Sequence, residues 1–509
     1  MTRSKWRYRR LFEILPGALA WTLILLPILL AAFSPKLFAV YMIFFISYWL
    51  VKTYTMSYRM IWGYRNYVRE TSTDWADKLA KLVPADDWRK IYHLVIVPTY
   101  KEDISILRSS IKSVIASQFP PENIIYVLAT EERDFARAKE YGEIIVSENK
   151  DKLFHVATFM HPKDMPGEIV GKGGNINFAA RSILSFIDEK KIPYENVVVT
   201  TMDVDHIVDK KYFADLTFKY VTDEDPIHKS FQPLPMFFNN IWDVPTLNRL
   251  IAMGSSFWQL IVATRPSRLR NFSAHAQSLA ALIQTDFWSA ETIVEDGHQY
   301  WRSYFRFDGH YEVVPLYTPI YQDAVLADTL KETLREQYLQ KRRWSWGVSD
   351  IPYVMEKTFG NKKIPFIDRW ANALILWDAH LSWSTSSIIL AFSSWLPLLF
   401  NQQFKTDILS FSFLYVYVRM LWIAWGGMII TLCISTLLAP PKRGKKPVKR
   451  IIMDWIMTPI LLPISSIVFS SIPALESQTR LMIGKYLEKF HVTAKSTRRS
   501  WAAEEKNGR

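Results

Sequence analysis

Apolar positions run unbroken at both ends of the chain and alternate with polar ones in the middle. Ile14–Pro35 and Leu37–Val51 contain no charged residue. About 20 such residues cross a hydrocarbon core of roughly 30 Å. With Lys52 and Arg59 placed to snorkel at the end of the second run, the pattern predicts a helical hairpin with both ends in the cytosol. Toward the C-terminus, Leu381–Phe404 is uncharged, and Ile408–Leu438, interrupted only by Arg419 and Gly426-Gly427, predicts one tilted helix. An Arg in such a span is costly, so it is expected to face the interior or a water-filled path. Trp455–Leu475 is apolar but holds Pro459, Pro463 and Pro473. A further crossing there would carry the basic tail (Lys485, Lys489, Lys495, Arg498, Arg499) to the outer side, so we expect a re-entrant or interfacial segment, with a true span as the alternative.

Between these blocks, β-branched runs alternate with helical periodicity. Leu94–Tyr100, Ile124–Thr130, Leu153–Phe159 and Asn196–Asp205 read as strands, and Ile104–Gln118 reads as a helix. Strands alternating with helices predict an α/β domain with a mostly parallel sheet covered on both faces, binding ligands beyond the carboxyl ends of its strands. The expected organisation is a membrane hairpin (1–57), a cytosolic domain (58–350), an interfacial amphipathic region (351–370), C-terminal membrane helices (371–475) with a basic loop at 440–450, and a basic tail (476–509).

Composition narrows the functional classes. Hydrophobic residues make up 49% and aromatic residues 15%, which excludes disorder. The single cysteine, Cys433, excludes an intrachain disulfide framework and a thiolate zinc site. The formal net charge of +13 is gathered at the borders of the apolar runs, in Arg3, Lys5, Arg7, Arg9, Arg10 and in Pro440–Arg450. That placement points to membrane lipid and away from nucleic acid.

Four motifs can carry chemistry. Asp203 and Asp205 follow the strand Val197–Met202, and two carboxylates leaving a strand together suit a hard cation; a solvated acidic turn is the alternative. Glu295-Asp296 opens a helical stretch, where a carboxylate serves as a cap or as a general base. Gln340, Arg343 and Trp344 share a helical face, offering a planar fork for diphosphate oxygens and a ring for sugar stacking. A snorkelling basic helix fits the same residues. Gly171–Asn177 is a glycine-rich helix opening whose N–H groups and Lys172 suit a phosphate; a plain loop is the alternative.

In order and spacing, VPTYKED (Val97–Asp103), KGGNIN, Asp-x-Asp, Glu-Asp and Gln-x-x-Arg-Trp together resemble the membrane-integrated, processive family 2 glycosyltransferases, the group of cellulose, chitin and hyaluronan synthases. The resemblance covers roughly residues 90–350 by motif. It implies a GT-A fold and an inverting, metal-dependent hexosyltransferase. It further implies a nucleotide-sugar donor (UDP-glucose by default), a glycan acceptor, Mg²⁺ or Mn²⁺, and a polysaccharide exported through the membrane helices. By the same resemblance, Thr99, Tyr100 and Glu102 lie near the base and ribose. Lys172, Asn177 and Asp203 bind donor, Asp205 holds metal, Asp296 is the catalytic base, and Gln340, Arg343 and Trp344 bind acceptor and diphosphate.

Three positions depart from the family pattern. Val294 stands where the family has Thr. Thr130-Glu131-Glu132-Arg133-Asp134 replaces an Asp-Asp-Gly, leaving Glu131 and Glu132 as candidates for a second uridine-side carboxylate. Asn271–Ser278 replaces the acceptor loop, with His275 either touching acceptor or serving as a satisfied structural histidine. Two other readings stand beside the synthase: transfer of a single sugar to a lipid acceptor, and a transporter or scaffold whose acidic pairs only bind cations.

Overall fold

The computed structural model describes residues 6–393, 396–400, 408–442 and 447–487. Two long helices open it, α1 (Arg9–Phe33) and α2 (Pro35–Ser72). Ser34 separates them, and Pro35 starts α2, where its missing N–H costs nothing. α2 has 38 residues, so at 1.5 Å per residue it is about 57 Å long. The expected boundary at residue 57 is therefore no break. The apolar half of α2 packs against the helix Ile408–Leu438, and its polar half runs on into the globular domain, where Lys219 donates to Glu70 at 2.6 Å. Ile408–Leu438 forms the single helix expected of it, with Gly426-Gly427 inside. A Cβ on Gly427 would lie 2.5 Å from Thr53 Cγ2, so the glycine lets the two helices close on each other.

The domain is built on one eight-stranded sheet: β1 (Tyr92–Pro98), β2 (Ile124–Glu131), β3 (His155–His161), β4 (Val197–Thr201), β5 (Ile207–Val208), β6 (Lys229–Met236), β7 (His275–Ser278) and β8 (Glu312–Tyr321). The spatial order is β3-β2-β1-β4-β7-β6-β8-β5. The first four strands are parallel, as their β-branched runs predict. The far half is mixed: β7 runs antiparallel to β4 and β6, and β5 antiparallel to β8. The sheet is therefore mixed, where a mostly parallel one was expected. Alternation along β1 sends Val95 and Val97 to one apolar layer and Leu94 and Ile96 to the other. Both layers are fully buried, which fixes the strand register and holds the carboxyl ends of β1 and β4 side by side.

Among the described residues, four helices are long and apolar enough to cross a membrane: Arg9–Phe33, Pro35–Ser72, the stretch Ser412–Leu438, and Val448–Ile483. The last contains the segment expected to re-enter. Its prolines do not break it, because the chain continues as helix through a π-turn at Ile467–Ser471. The expected span Leu381–Phe404 falls partly outside the described residues; its first part ends the helix Phe366–Phe392. Arg419 stacks over the Tyr415 ring at 4.9 Å and stays exposed, away from any interior path. In the region expected to lie at the interface, the helix Asp350–Gly360 buries Ile351, Val354 and Met355 against Trp301 and Trp346 and leaves Phe359 exposed.

Candidate active site

β1 ends in a turn that its own side chains close. The carboxylate of Glu102 accepts from Thr99 Oγ1 at 2.9 Å and from the Tyr100 N–H at 2.6 Å, while Lys101 sits at φ 69°. Glu102 thus shapes the turn that presents Thr99 and Tyr100. Arg133, from the end of β2, lies over the Tyr100 ring at 4.5 Å and pairs with Glu131. Of the two candidate carboxylates there, Glu131 lines the cavity, already paired. Glu132 accepts from the Lys163 N–H at 2.9 Å, outside the cavity.

The centre of the site is Lys172, the first residue of the helix Lys172–Ser182. Its ammonium lies 3.1 Å from Asp203, 3.2 Å from Asp296 and 3.7 Å from Glu295, and it donates to the Ser273 carbonyl at 3.0 Å. Local sequence makes this convergence possible. A Cβ on Gly173 would lie 2.5 Å from the Ser289 carbonyl, and one on Gly174 2.5 Å from Glu168. Gly173 lets the helix start press against the segment that carries Glu295 and Asp296, and Gly174 lets it close on Glu168. Burial by itself lowers the Lys172 ammonium, but Asp203, Asp296 and Glu295 outweigh it and raise it. Burial by itself raises Asp203, and Lys172, His206 and Arg343 reverse that, leaving it well below the usual carboxylate range. Glu295 is pushed up, first by burial and then by Asp296 beside it.

Asp203, Asp205 and His206 bring a ligand atom each to within 4.8 Å of one another, just past β4. The His206 Nδ1 accepts from the Asp203 N–H at 3.0 Å. The two carboxylates supply the hard oxygen donors that Mg²⁺ or Mn²⁺ prefers, and the residues present fit such an ion.

The helix Leu330–Ser345 supplies the opposite wall. Arg343 is held among Asp203, Glu295, Asp296 and Asp205; burial lowers its guanidinium and those carboxylates oppose the effect. Gln340 accepts from Gln337 at 3.2 Å. Lys341 lies over the Trp344 ring at 4.4 Å and donates to Ser255 at 2.8 Å. Burial pushes Lys341 down to about 7.

Thr99, Tyr100, Glu102, Lys172, Asp203, Asp205, Asp296, Gln340, Arg343 and Trp344 line one cavity of about 2300 Å³. Asn177 does not. Its amide donates to the Trp288 carbonyl at 2.5 Å and accepts from Arg181 at 2.6 Å, facing away. Asn175 lines the cavity instead, donating to the Ala129 carbonyl at 2.9 Å. His275 is the satisfied structural histidine. It sits on β7 with Nδ1 at 2.8 Å from the Phe272 carbonyl, Nε2 accepts from Trp288 at 3.2 Å, and burial lowers its pKa. Beyond the charged residues, the same cavity continues past Trp383, Ser386, Thr431, Thr458, Ser466 and Ser470 on the apolar helices. Sequence reasoning passed over Arg133, Asn175 and His206 as site residues. His206 carried a legible signal, lying in the same turn as the Asp-x-Asp pair.

No family model and no curated protein matches this chain. Among solved structures, it is similar to a mannosyltransferase from Pyrobaculum calidifontis in complex with GDP-Man and Mn²⁺. The identity is 10% over 87% of this chain and 100% of that one, with a TM-score of 0.43. Residues 1–349 of S. aureus TarS in complex with UDP-GlcNAc align over 78% of this chain and 93% of that one, at 12% identity and a TM-score of 0.32. GalNAc-T7 with UDP, GalNAc and Mn²⁺ aligns over 57% and 58%, at 13% identity and a TM-score of 0.35. Likeness at this level does not transfer substrate or mechanism.

Proposed function

We propose that this chain is a membrane-embedded glycosyltransferase of the GT-A type. In this reading it transfers a sugar from a nucleotide donor to a growing glycan at the cytosolic face and passes the product along the apolar helices. One observation carries the reading. Lys172, Asp203, Asp296 and Arg343, from four separate elements, meet in a single cavity that continues between helices long enough to cross a membrane.

The acceptor hydroxyl is a poor nucleophile, and Asp296 takes its proton as attack proceeds. Arg343 and Lys172 face the diphosphate that departs with growing negative charge, in a site where their ammonium and guanidinium are already oriented. Asp203 and Asp205 would hold Mg²⁺ or Mn²⁺, which when bound offsets charge on the leaving diphosphate. Tyr100, stacked on Arg133, offers the nucleobase a ring beside the Thr99 turn. Gln340 and Trp344 orient the acceptor so that attack is in line. Attack on the face opposite the leaving group inverts the anomeric centre.

The test is a screen of radiolabelled nucleotide sugars with membranes containing the full chain, followed by sizing of the product. Transfer with polymeric product is expected. Transfer limited to one sugar overturns the processive part, and no turnover of any donor overturns the whole.

A further inference from the structure

One stretch of the cavity wall carries the opposite balance of charge. Lys52 on α2, and Arg265 and Arg268 on the segment after the helix Thr246–Ala263, all line the wall. Arg59 lies behind them and donates to the Thr264 carbonyl at 3.2 Å, with its Nε buried and unbonded. Among the described residues, one carboxylate faces these four cations. Asp378 lies 3.6 Å from Arg268 and accepts from Tyr48 at 3.4 Å and from Ser382 at 3.1 Å. Lys52 is held by Tyr48 at 3.2 Å and Ser382 at 3.4 Å, both neutral. The Arg265 guanidinium has no hydrogen-bonded or ion-paired partner among the described residues. The charges acting on it are the cations of Arg268 and Arg59 and, against them, the carboxylate of Asp378. Arg270 on the same wall is already committed, to Asn372 at 3.1 Å and over the Tyr300 ring at 4.1 Å.

Like charges gathered in a cavity wall with one counter-charge are unfavourable unless an anion joins them. The guanidinium fork matches phosphate oxygens in pairs, and a phosphate monoester carries enough charge to answer several cations at once. The position adds chemistry. Lys52 stands where α2 leaves its apolar run Leu37–Val51, so a headgroup there would have its tail beside an apolar helix.

We propose that Lys52, Arg265 and Arg268 form a phosphate-binding site on the cavity wall beside the apolar run of α2, and that the acceptor enters as a phosphate-bearing substrate. The acceptor part rests on the transferase reading; the phosphate site does not. A lipid headgroup and a soluble phosphate share this chemistry.

The test uses the full chain in phosphatidylcholine nanodiscs, with and without a polyprenyl monophosphate, measuring retention of that lipid. In parallel, inorganic phosphate and a short-chain alkyl phosphate compete for it. R265Q/R268Q is expected to weaken retention by about tenfold or more, equivalent to roughly 1.4 kcal/mol. R265K/R268K is expected to retain most of it. UDP and GDP affinity in the presence of Mn²⁺ is expected to be unchanged in both variants, which also reports that they fold. Retention by the wild type that inorganic phosphate does not displace identifies a lipid headgroup; displacement by it identifies a soluble phosphate. No retention by the wild type, or equal retention in R265Q/R268Q, overturns the site. Loss of nucleotide binding in the wild type with phosphate retention intact overturns the transferase reading and leaves the site standing.

Discussion

The two ends of the cavity are built from different materials. Around Asp296, an ammonium and a guanidinium stand among four carboxylates within a few ångströms. Between the apolar helices, the same cavity is lined by hydroxyls and indoles, such as Ser386, Thr431, Ser466, Ser470 and Trp383. A charge is costly to bury and is worth its cost only where charge develops during a reaction. Hydroxyls hydrogen-bond a sugar weakly, and indole faces stack on it without fixing its register. The first lining suits chemistry at one point and the second suits movement along a path.

Replacing single residues at each end tests that contrast. Asp296→Asn is expected to lower transfer by about 10²–10⁴-fold, the span that positioned general bases contribute, while donor affinity survives. Single-turnover transfer and nucleotide titration measure the two, and normal turnover removes the base assignment. Lys172→Met leaves Asp203, Glu295 and Asp296 without their shared cation. A loss of about 3 kcal/mol is expected, at the low end for a broken buried pair because Asp203 is partly open to the cavity. Denaturant unfolding of the full chain reads it.

A third substitution concerns pH. Glu295 is raised from 4.5 to about 8, so the folded state holds its proton after the unfolded chain has released it. Its contribution is therefore full below about 4.5 and is lost as pH rises toward 8. Glu295→Gln removes that loss, and the variant is expected to gain on the wild type over this window by an amount on the order of 2 kcal/mol. Parallel thermal melts at both ends of the window check the sign; a gap that narrows as pH rises contradicts the burial of Glu295. The smallest effect belongs to the other end of the cavity. Ser470→Ala removes the acceptor for the Trp383 N–H at 2.9 Å, worth about 1 kcal/mol. Product length is expected to shorten with the rate of the first transfer unchanged. A fall in that rate instead breaks the division between the two ends.

The parallel half of the sheet was legible because its strands are continuous β-branched runs, and β1 to β4 begin within two residues of where those runs do. The other half was not. β6 and β8 carry Pro233, Pro235, Pro315 and Pro319, which argue against central strands. β5 has two residues and β7 reads His-Ala-Gln-Ser, which has no strand signature. The site was legible as motifs, because acidic pairs and Gln-x-x-Arg-Trp state their chemistry in residue type. The choice between Asn175 and Asn177 was not legible. Both lie on one helix, and only the packing of Trp288 and Arg181 turns one of them away. Arg133 was equally hidden, since its partner Tyr100 is brought to it by strand pairing between β1 and β2.

In its charged form, Lys341 above the Trp344 ring bears on the acceptor role proposed for that ring. A pyranose that settles on the same side of that indole trades places with a cation instead of landing on bare surface. The observed binding constant is then a difference between two stacking energies, and removing the cation tightens the sugar even though no contact to it was gained.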